Sequence, residues 1–153
     1  MTFNLTSPAF KDGETIPKAY TCEGRNVSPP LHWTVSPAGT RSYVLIADDP
    51  DAPAGTWVHW VIYNLPLDLR GLSEAVPAEE QVLDGALQGL NDFKRVGYGG
   101  PCPPPGKPHR YYFRLYALDG VLDLKPGATK AQVLEASRRH VLADAQLMGR
   151  FAR

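Results

Sequence analysis

Three stretches of this chain carry residues able to do chemistry together. The first is the hinge Asp48-Asp-Pro-Asp-Ala-Pro-Ala-Gly55, which packs three aspartates, two prolines and a glycine into eight residues. The second is His59, shortly after it, and the third is the turn from Gly99 through Pro101-Cys-Pro-Pro-Pro105 to His109. A carboxylate bonded to one imidazole nitrogen fixes the tautomer and favours the cation, leaving the other nitrogen to donate outward. Two such imidazoles, His59 and His109, suit a small anion such as phosphate. The Gly99-Gly100 backbone before Pro101 adds consecutive N–H groups that can form an anion-binding nest. A spare oxygen on Asp49 or Asp51 would accept from a ligand ammonium or hydroxyl, and that mixture matches a zwitterionic head group. Each stretch also has a plainer explanation by itself: a satisfied core histidine, turn chemistry, or a rigid proline loop that an aromatic groove could bind. Their co-occurrence favours a site.

The elements around these stretches must bring them together. Val44 to Ala47 and Trp57 to Tyr63 are apolar runs of strand length on either side of the hinge. Pro50 and Pro53 lack a ladder donor and end the first run; their cis or trans state is not readable from sequence. If the second run is extended, strict alternation puts Trp57, His59, Val61 and Tyr63 on one face and Val58, Trp60 and Ile62 on the other. Both faces are apolar, so this is an interior strand, and His59 needs a buried partner, with Asp48, Asp49 and Asp51 the nearest carboxylates. Alternation from His109 to Leu118 aligns His109, Tyr111, Phe113, Leu115 and Ala117 inward, opposite Arg110, Tyr112, Arg114 and Tyr116.

The rest of the chain reads as short strands and loops. Residues 3–10 read as an outer strand, Leu31 to Thr34 as a short strand with His32 facing solvent, and Arg41 to Ala47 as the strand entering the hinge. Residues 71–100 show no sustained period and read as a long loop, functional or mobile. Thr129-x-x-Gln132 is a capping box opening a helix whose stripe is Val133, Leu134, Ser137, Val141 and Leu142. Ala145, Leu147, Gly149 and Phe151 alternate in a last strand.

Composition sets the limits. At 153 residues the chain is expected to form a single domain, 1–153, with a core that needs no staple. Lys+Arg and Asp+Glu are 16 each without a basic stripe, which argues against nucleic acid or an anionic membrane surface as a partner. No apolar run is long enough for a transmembrane segment, and the N-terminus carries no secretory pattern, so a cytoplasmic location is expected. There Cys22 and Cys102 read as free thiols rather than a disulfide.

Read in order, the motifs resemble the phosphatidylethanolamine-binding protein family, in its bacterial Raf-kinase-inhibitor-like (YbhB/YbcL) branch. They are Tyr20-Thr-Cys-Glu-Gly24, Ser28-Pro-Pro-Leu-x-Trp33, Asp48-Asp-Pro-Asp-Ala-Pro53, Trp57-x-His-Trp60, Tyr63-Asn-Leu-Pro66, Asn91-Asp-Phe93, Gly97-Tyr-Gly-Gly-Pro101 and Pro108-His-Arg-Tyr111. The resemblance implies a mostly β fold, a Greek-key β-sandwich with one or two peripheral helices. It implies a ligand pocket of Asp49, Asp51, His59, Gly100, Pro101, His109 and Tyr111. It further implies a non-enzymatic protein that needs no cofactor and binds a small anion or phosphorylated head group, including that of a phospholipid. Val58 stands where eukaryotic members often carry a second histidine, and the chain stops at Arg153 without their C-terminal helix. Kinase inhibition is therefore not expected, and bacterial relatives imply a homodimer. Two alternatives stay open. One is an interaction module whose 71–106 loop inhibits a kinase or protease; the other is a hydrolase or metal enzyme using Asp49, His59 and His109, in which either Asp49 or Asp51 would be the carboxylate of a facial triad.

Overall fold

The computed structural model describes residues 2–153. In chain order its strands are β1 (Leu5–Thr6), β2 (Leu31–Trp33), β3 (Ser42–Asp49), β4 (Trp57–Pro66), β5 (Gly71–Leu72), β6 (Gln81–Val82), β7 (Ala86–Gln88), β8 (His109–Leu118) and β9 (Val141–Phe151), with a short 3-10 turn at Lys18–Tyr20 and an α-helix, α1 (Lys130–Ser137), before β9. A six-stranded sheet runs β6-β7-β4-β3-β8-β9 and a three-stranded sheet runs β1-β2-β5. The fold is thus mostly β, two sheets with a peripheral helix, as the motifs implied.

Strand β3 lies at the centre and is buried at every position. Its alternate side chains enter two different cores. Tyr43, Leu45 and Ala47 join Trp60, Ile62, Phe113 and Leu115 between the two sheets, where Leu5, Leu31, Trp33 and Leu72 close the other side. Val44 and Ile46 join Val61, Tyr63, Leu122 and Val133 under α1 and the segment before it. Each large apolar side chain so buried contributes about 1.5–3 kcal/mol. A strand covered on both faces reads as an unbroken apolar run, which is why alternation is missing from Val44 to Ala47.

Strict alternation fails in β4, at the place that matters most. Trp60 lies opposite Ala47, but Asp48 lies opposite Val58, so β4 carries one extra residue, His59, at a bulge. A bulge re-aims the side chains beyond it. Val58, Val61 and Tyr63 pack toward the helix, while Trp60 and Ile62 face the sandwich core. His59 is therefore not on the face of Val61 and Tyr63: it meets the ring of Tyr111, a sandwich-core residue, edge-on at 5.3 Å.

The capping box forms as its spacing predicts, with Thr129 Oγ1 accepting from the Gln132 N–H and the Gln132 side chain accepting from the Thr129 N–H. The helix stops at Ser137, however, and Val141 and Leu142 lie exposed on β9 rather than on a helical stripe. The outer strand expected over 3–10 shrinks to Leu5–Thr6. Residues 71–100 hold three short strands. Residues 77–88 are organised by Gln88, which is fully buried: its Nε2 donates to the Pro77 and Glu79 carbonyls, and its Oε1 accepts from the Trp60 indole at 2.7 Å. Among the described residues no peptide bond is cis, and no helix is long and apolar enough to cross a membrane.

Gln88→Leu keeps the volume but leaves the buried Trp60 N–H without an acceptor, an uncompensated cost of about 1–3 kcal/mol. Urea unfolding should show a loss of that size, and an unchanged midpoint would contradict this role for Gln88.

Candidate functional site

The hinge aspartates follow β3 into three different environments. Asp48, 1% exposed, turns to the helix side and is held by Arg114 and by Lys130 Nζ at 2.7 Å. Asp49 turns to the opposite side: its Oδ2 accepts from His109 Nδ1 at 2.7 Å, and its Oδ1 accepts from the Asp51 N–H at 2.7 Å. Asp51 leaves the site. Its carboxylate takes the Arg110 N–H, Nε at 2.9 Å and the terminal nitrogen Nη2 at 2.8 Å. That hydrogen-bonded guanidinium holds the Asp51 carboxyl down at about 2.

The bulge and the strand pairing put both histidines against one cavity of about 180 Å³. Asp49, His59, His109 and Tyr111 line it on the sheet side, Trp57 and Phe93 form a wall, and Ala52-Pro53 with Cys102-Pro-Pro104 form the rim. His59 Nδ1 lies 2.7 Å from the Gly99 carbonyl, and His109 Nδ1 lies at the Asp49 carboxylate. Both partners only accept, so both rings must carry hydrogen on Nδ1, and each has Nε2 left without a partner in the protein. The partner of His59 is thus a backbone carbonyl and not one of the hinge carboxylates. Burial among aromatic rings pushes the His59 pKa down, more than the Gly99 carbonyl and the surrounding aspartates raise it.

Two further polar atoms at this cavity are unpaired. The Tyr111 hydroxyl and the Trp57 indole N–H are both enclosed and make no hydrogen bond. Burial raises the Tyr111 pKa, and the nearby Asp49 charge raises it further although the two groups are not at hydrogen-bonding geometry. Buried polar atoms are rarely left without partners, and both of these belong to residues that line the cavity.

The glycine turn serves the site differently from a nest. The Gly99 N–H donates to the His59 carbonyl at 2.9 Å and the Gly100 N–H to Asn26 Oδ1 at 2.8 Å. Pro101 accepts from the Cys22 N–H at 3.0 Å. Gly100 and Pro101 therefore lie behind the cavity wall and not on its lining. Close approach is what requires glycine here: a Cβ on Gly99 would sit 2.5 Å from the Phe93 ring, and one on Gly100 would sit 2.4 Å from the Tyr20 carbonyl. The wall is further stitched to residues 20–26 by a disulfide between Cys22 and Cys102, 80 positions apart. This corrects the free-thiol reading, which took its premise from a reducing compartment. Among the described residues no group of three or more His, Cys, Asp or Glu is placed to hold a metal ion, and the Asp51 carboxylate is paired with Arg110.

Asp49, His59, His109 and Tyr111 thus meet, while Asp51, Gly100 and Pro101 support them from outside. Trp57 carried a usable signal, since alternation placed it with His59. Phe93 belongs to the Asn91-Asp-Phe93 motif, but nothing in its loop's pattern placed it at the cavity, and Asn26 carried no signal because it sits in a loop without periodicity.

Two outcomes follow from this geometry. The unfolded chain binds a proton at an ordinary histidine pKa of about 6.5, while buried His59 resists it, so stability should fall on acidification below that pH by up to about 1.4 kcal/mol per unit. Urea midpoints between pH 7 and 5.5 should show this slope flattened in His59→Gln, and an equal slope in both proteins would contradict it. Removing the disulfide with Cys22→Ser and Cys102→Ser should cost about 2–4 kcal/mol through the long loop it closes; an unaltered melting temperature would count against it.

Comparison with known proteins identifies the family. The profile of the phosphatidylethanolamine-binding protein family matches residues 6–152. A UPF0098 protein of Methanothermobacter thermautotrophicus is 55% identical over 150 residues, covering 98% of this chain and 99% of the relative. Two solved structures superpose closely. A phosphatidylethanolamine-binding protein homologue of Chlamydia trachomatis gives a TM-score of 0.91 at 44% identity over 99% of this chain and 98% of its own. YbcL of E. coli, described as a member of the mammalian family, gives 0.93 at 34% identity over 100% and 99%. A family match over nearly the whole chain and relatives this similar leave one reading: the chain belongs to the phosphatidylethanolamine-binding protein family.

Proposed function

We propose that the cavity binds a small oxyanion, a phosphate or a phosphorylated head group, and that the protein works by binding rather than by turnover. The observation that carries this reading is the pair of orphan donors. The Tyr111 O–H and Trp57 N–H are buried with no acceptor, at the same cavity to which His59 and His109 bring ring nitrogens without protein partners. An oxyanion supplies several acceptor oxygens from one small group, and charge-assisted bonds to it are stronger than neutral ones. Asp49 positions His109 in this scheme, Gly99 positions His59, and Tyr111 and Trp57 contact the ligand directly. The size fits a head group. A cavity of about 180 Å³ lies below the roughly 300–1,000 Å³ of sites for drug-sized ligands.

Titration calorimetry with inorganic phosphate and phosphoethanolamine tests the reading. His109→Ala and Asp49→Ala should each lose at least about tenfold in affinity, the equivalent of 1.4 kcal/mol. Tyr111→Phe, which deletes one hydrogen bond worth about 0.5–1.5 kcal/mol, should weaken binding several-fold without altering the far-ultraviolet spectrum. Unchanged affinity in all three variants would reject the assignment.

A further inference from the structure

The two imidazoles of the cavity are not equivalent. His109 gives its Nδ1 proton to the Asp49 carboxylate, an anion able to offset a positive ring, whereas His59 gives its own to the neutral Gly99 carbonyl. His59 is also the more enclosed, 5% exposed and set edge-on between Phe93 and Tyr111. The charged groups around it are already occupied. Asp48 is held by Arg114 and Lys130, Asp49 by His109, and Asp92 Oδ2 by the Val58 N–H. Burial accordingly keeps the His59 ring below its ordinary pKa. A neutral ring with hydrogen on Nδ1 has a lone pair on Nε2 and nothing to donate there.

The cavity then offers an oxyanion an uneven set of contacts. Trp57 N–H and Tyr111 O–H require acceptors, while His59 Nε2 requires a donor. An oxyanion bearing only lone pairs would set an acceptor against an acceptor there and gain no hydrogen bond from His59. One bearing an acidic hydroxyl satisfies both kinds of partner at once.

Building on the binding role proposed above, we infer that His59 makes the cavity selective for oxyanions that carry their own hydroxyl, so that its ligand class is inorganic phosphate or a phosphate monoester rather than a phosphodiester. Monoesters retain a P–O–H in one of their neutral-pH forms. Diesters and sulfate have none. An intact phospholipid is a diester, so the ligand chemistry this site favours is that of a free phosphorylated small molecule.

Calorimetry at pH 7 with inorganic phosphate, methyl phosphate, dimethyl phosphate and sulfate tests the inference with size and charge controlled. Sulfate matches the charge of monohydrogen phosphate, and dimethyl phosphate that of dihydrogen phosphate. Phosphate and methyl phosphate should bind at least about tenfold more tightly than dimethyl phosphate and sulfate. In His59→Gln, whose amide can donate, sulfate should gain on phosphate and that ratio should shrink to about threefold or less. Sulfate or dimethyl phosphate binding as tightly as methyl phosphate to the wild-type protein would overturn the inference while leaving the anion site standing. A His59→Gln protein that keeps the wild-type ratio would also overturn it; if that variant does not fold, the wild-type series decides alone. Binding of none of the four probes would overturn the anion site itself, and this inference with it.

Discussion

Two acceptor-only groups, the Gly99 carbonyl and the Asp49 carboxylate, each take the Nδ1 proton of a histidine, and the chemistry of the cavity depends on that constraint. An imidazole held at one nitrogen is fixed in tautomer and in orientation, so the other nitrogen becomes a defined contact atom. Strands from distant parts of the chain meet to satisfy the constraint. β8 brings His109 beside the end of β3, and the β4 bulge brings His59 to the same side. The wall that carries the Gly99 carbonyl is held by Asn26, by the Tyr98 hydroxyl on the Tyr20 carbonyl and by the Cys22–Cys102 disulfide. These contacts fix the position of the Gly99 carbonyl, and Cys102 also lines the cavity itself.

The hinge shows how neighbouring carboxylates are kept apart in role. Successive residues of a strand point to opposite faces, so Asp48 and Asp49 emerge on different sides of the sheet. Asp48 ties α1 to the six-stranded sheet through Lys130 while Arg114 shares its charge. Asp49 serves the cavity, and Asp51, beyond the strand end, clamps Arg110 at the start of β8. A buried carboxylate without such partners would be strongly destabilising. The dense acidic hinge is tolerated because each of its three charges has its own partner.

Much of this was legible in the sequence, and the failures have physical causes. Alternation in β8 placed His109 and Tyr111 inward, and the prolines after Asp49 ended β3 where they should. The capping box at Thr129 and the final strand through Phe151 also read correctly. The bulge did not, because one extra residue in a ladder changes which face a side chain takes without changing the sequence period. The acceptor for His59 is a backbone carbonyl, which has no sequence signature. Gln88 organises residues 77–88 by side-chain bonds to backbone, and that leaves no hydrophobic period to detect. The disulfide joins residues 80 apart, a pairing that composition alone assigned to free thiols.

The most direct test of the account is the state of the two rings in solution. Long-range proton–nitrogen correlation spectra of the imidazoles, free and with phosphate, report which nitrogen carries hydrogen and which one meets the ligand. Hydrogen is expected on Nδ1 of both His59 and His109, with a bare Nε2 on His59 and phosphate-dependent shifts at Nε2 of both rings while His32 and His140 stay unmoved. Hydrogen on Nε2 of His59 in the free protein, or no response to phosphate in either ring, would contradict it.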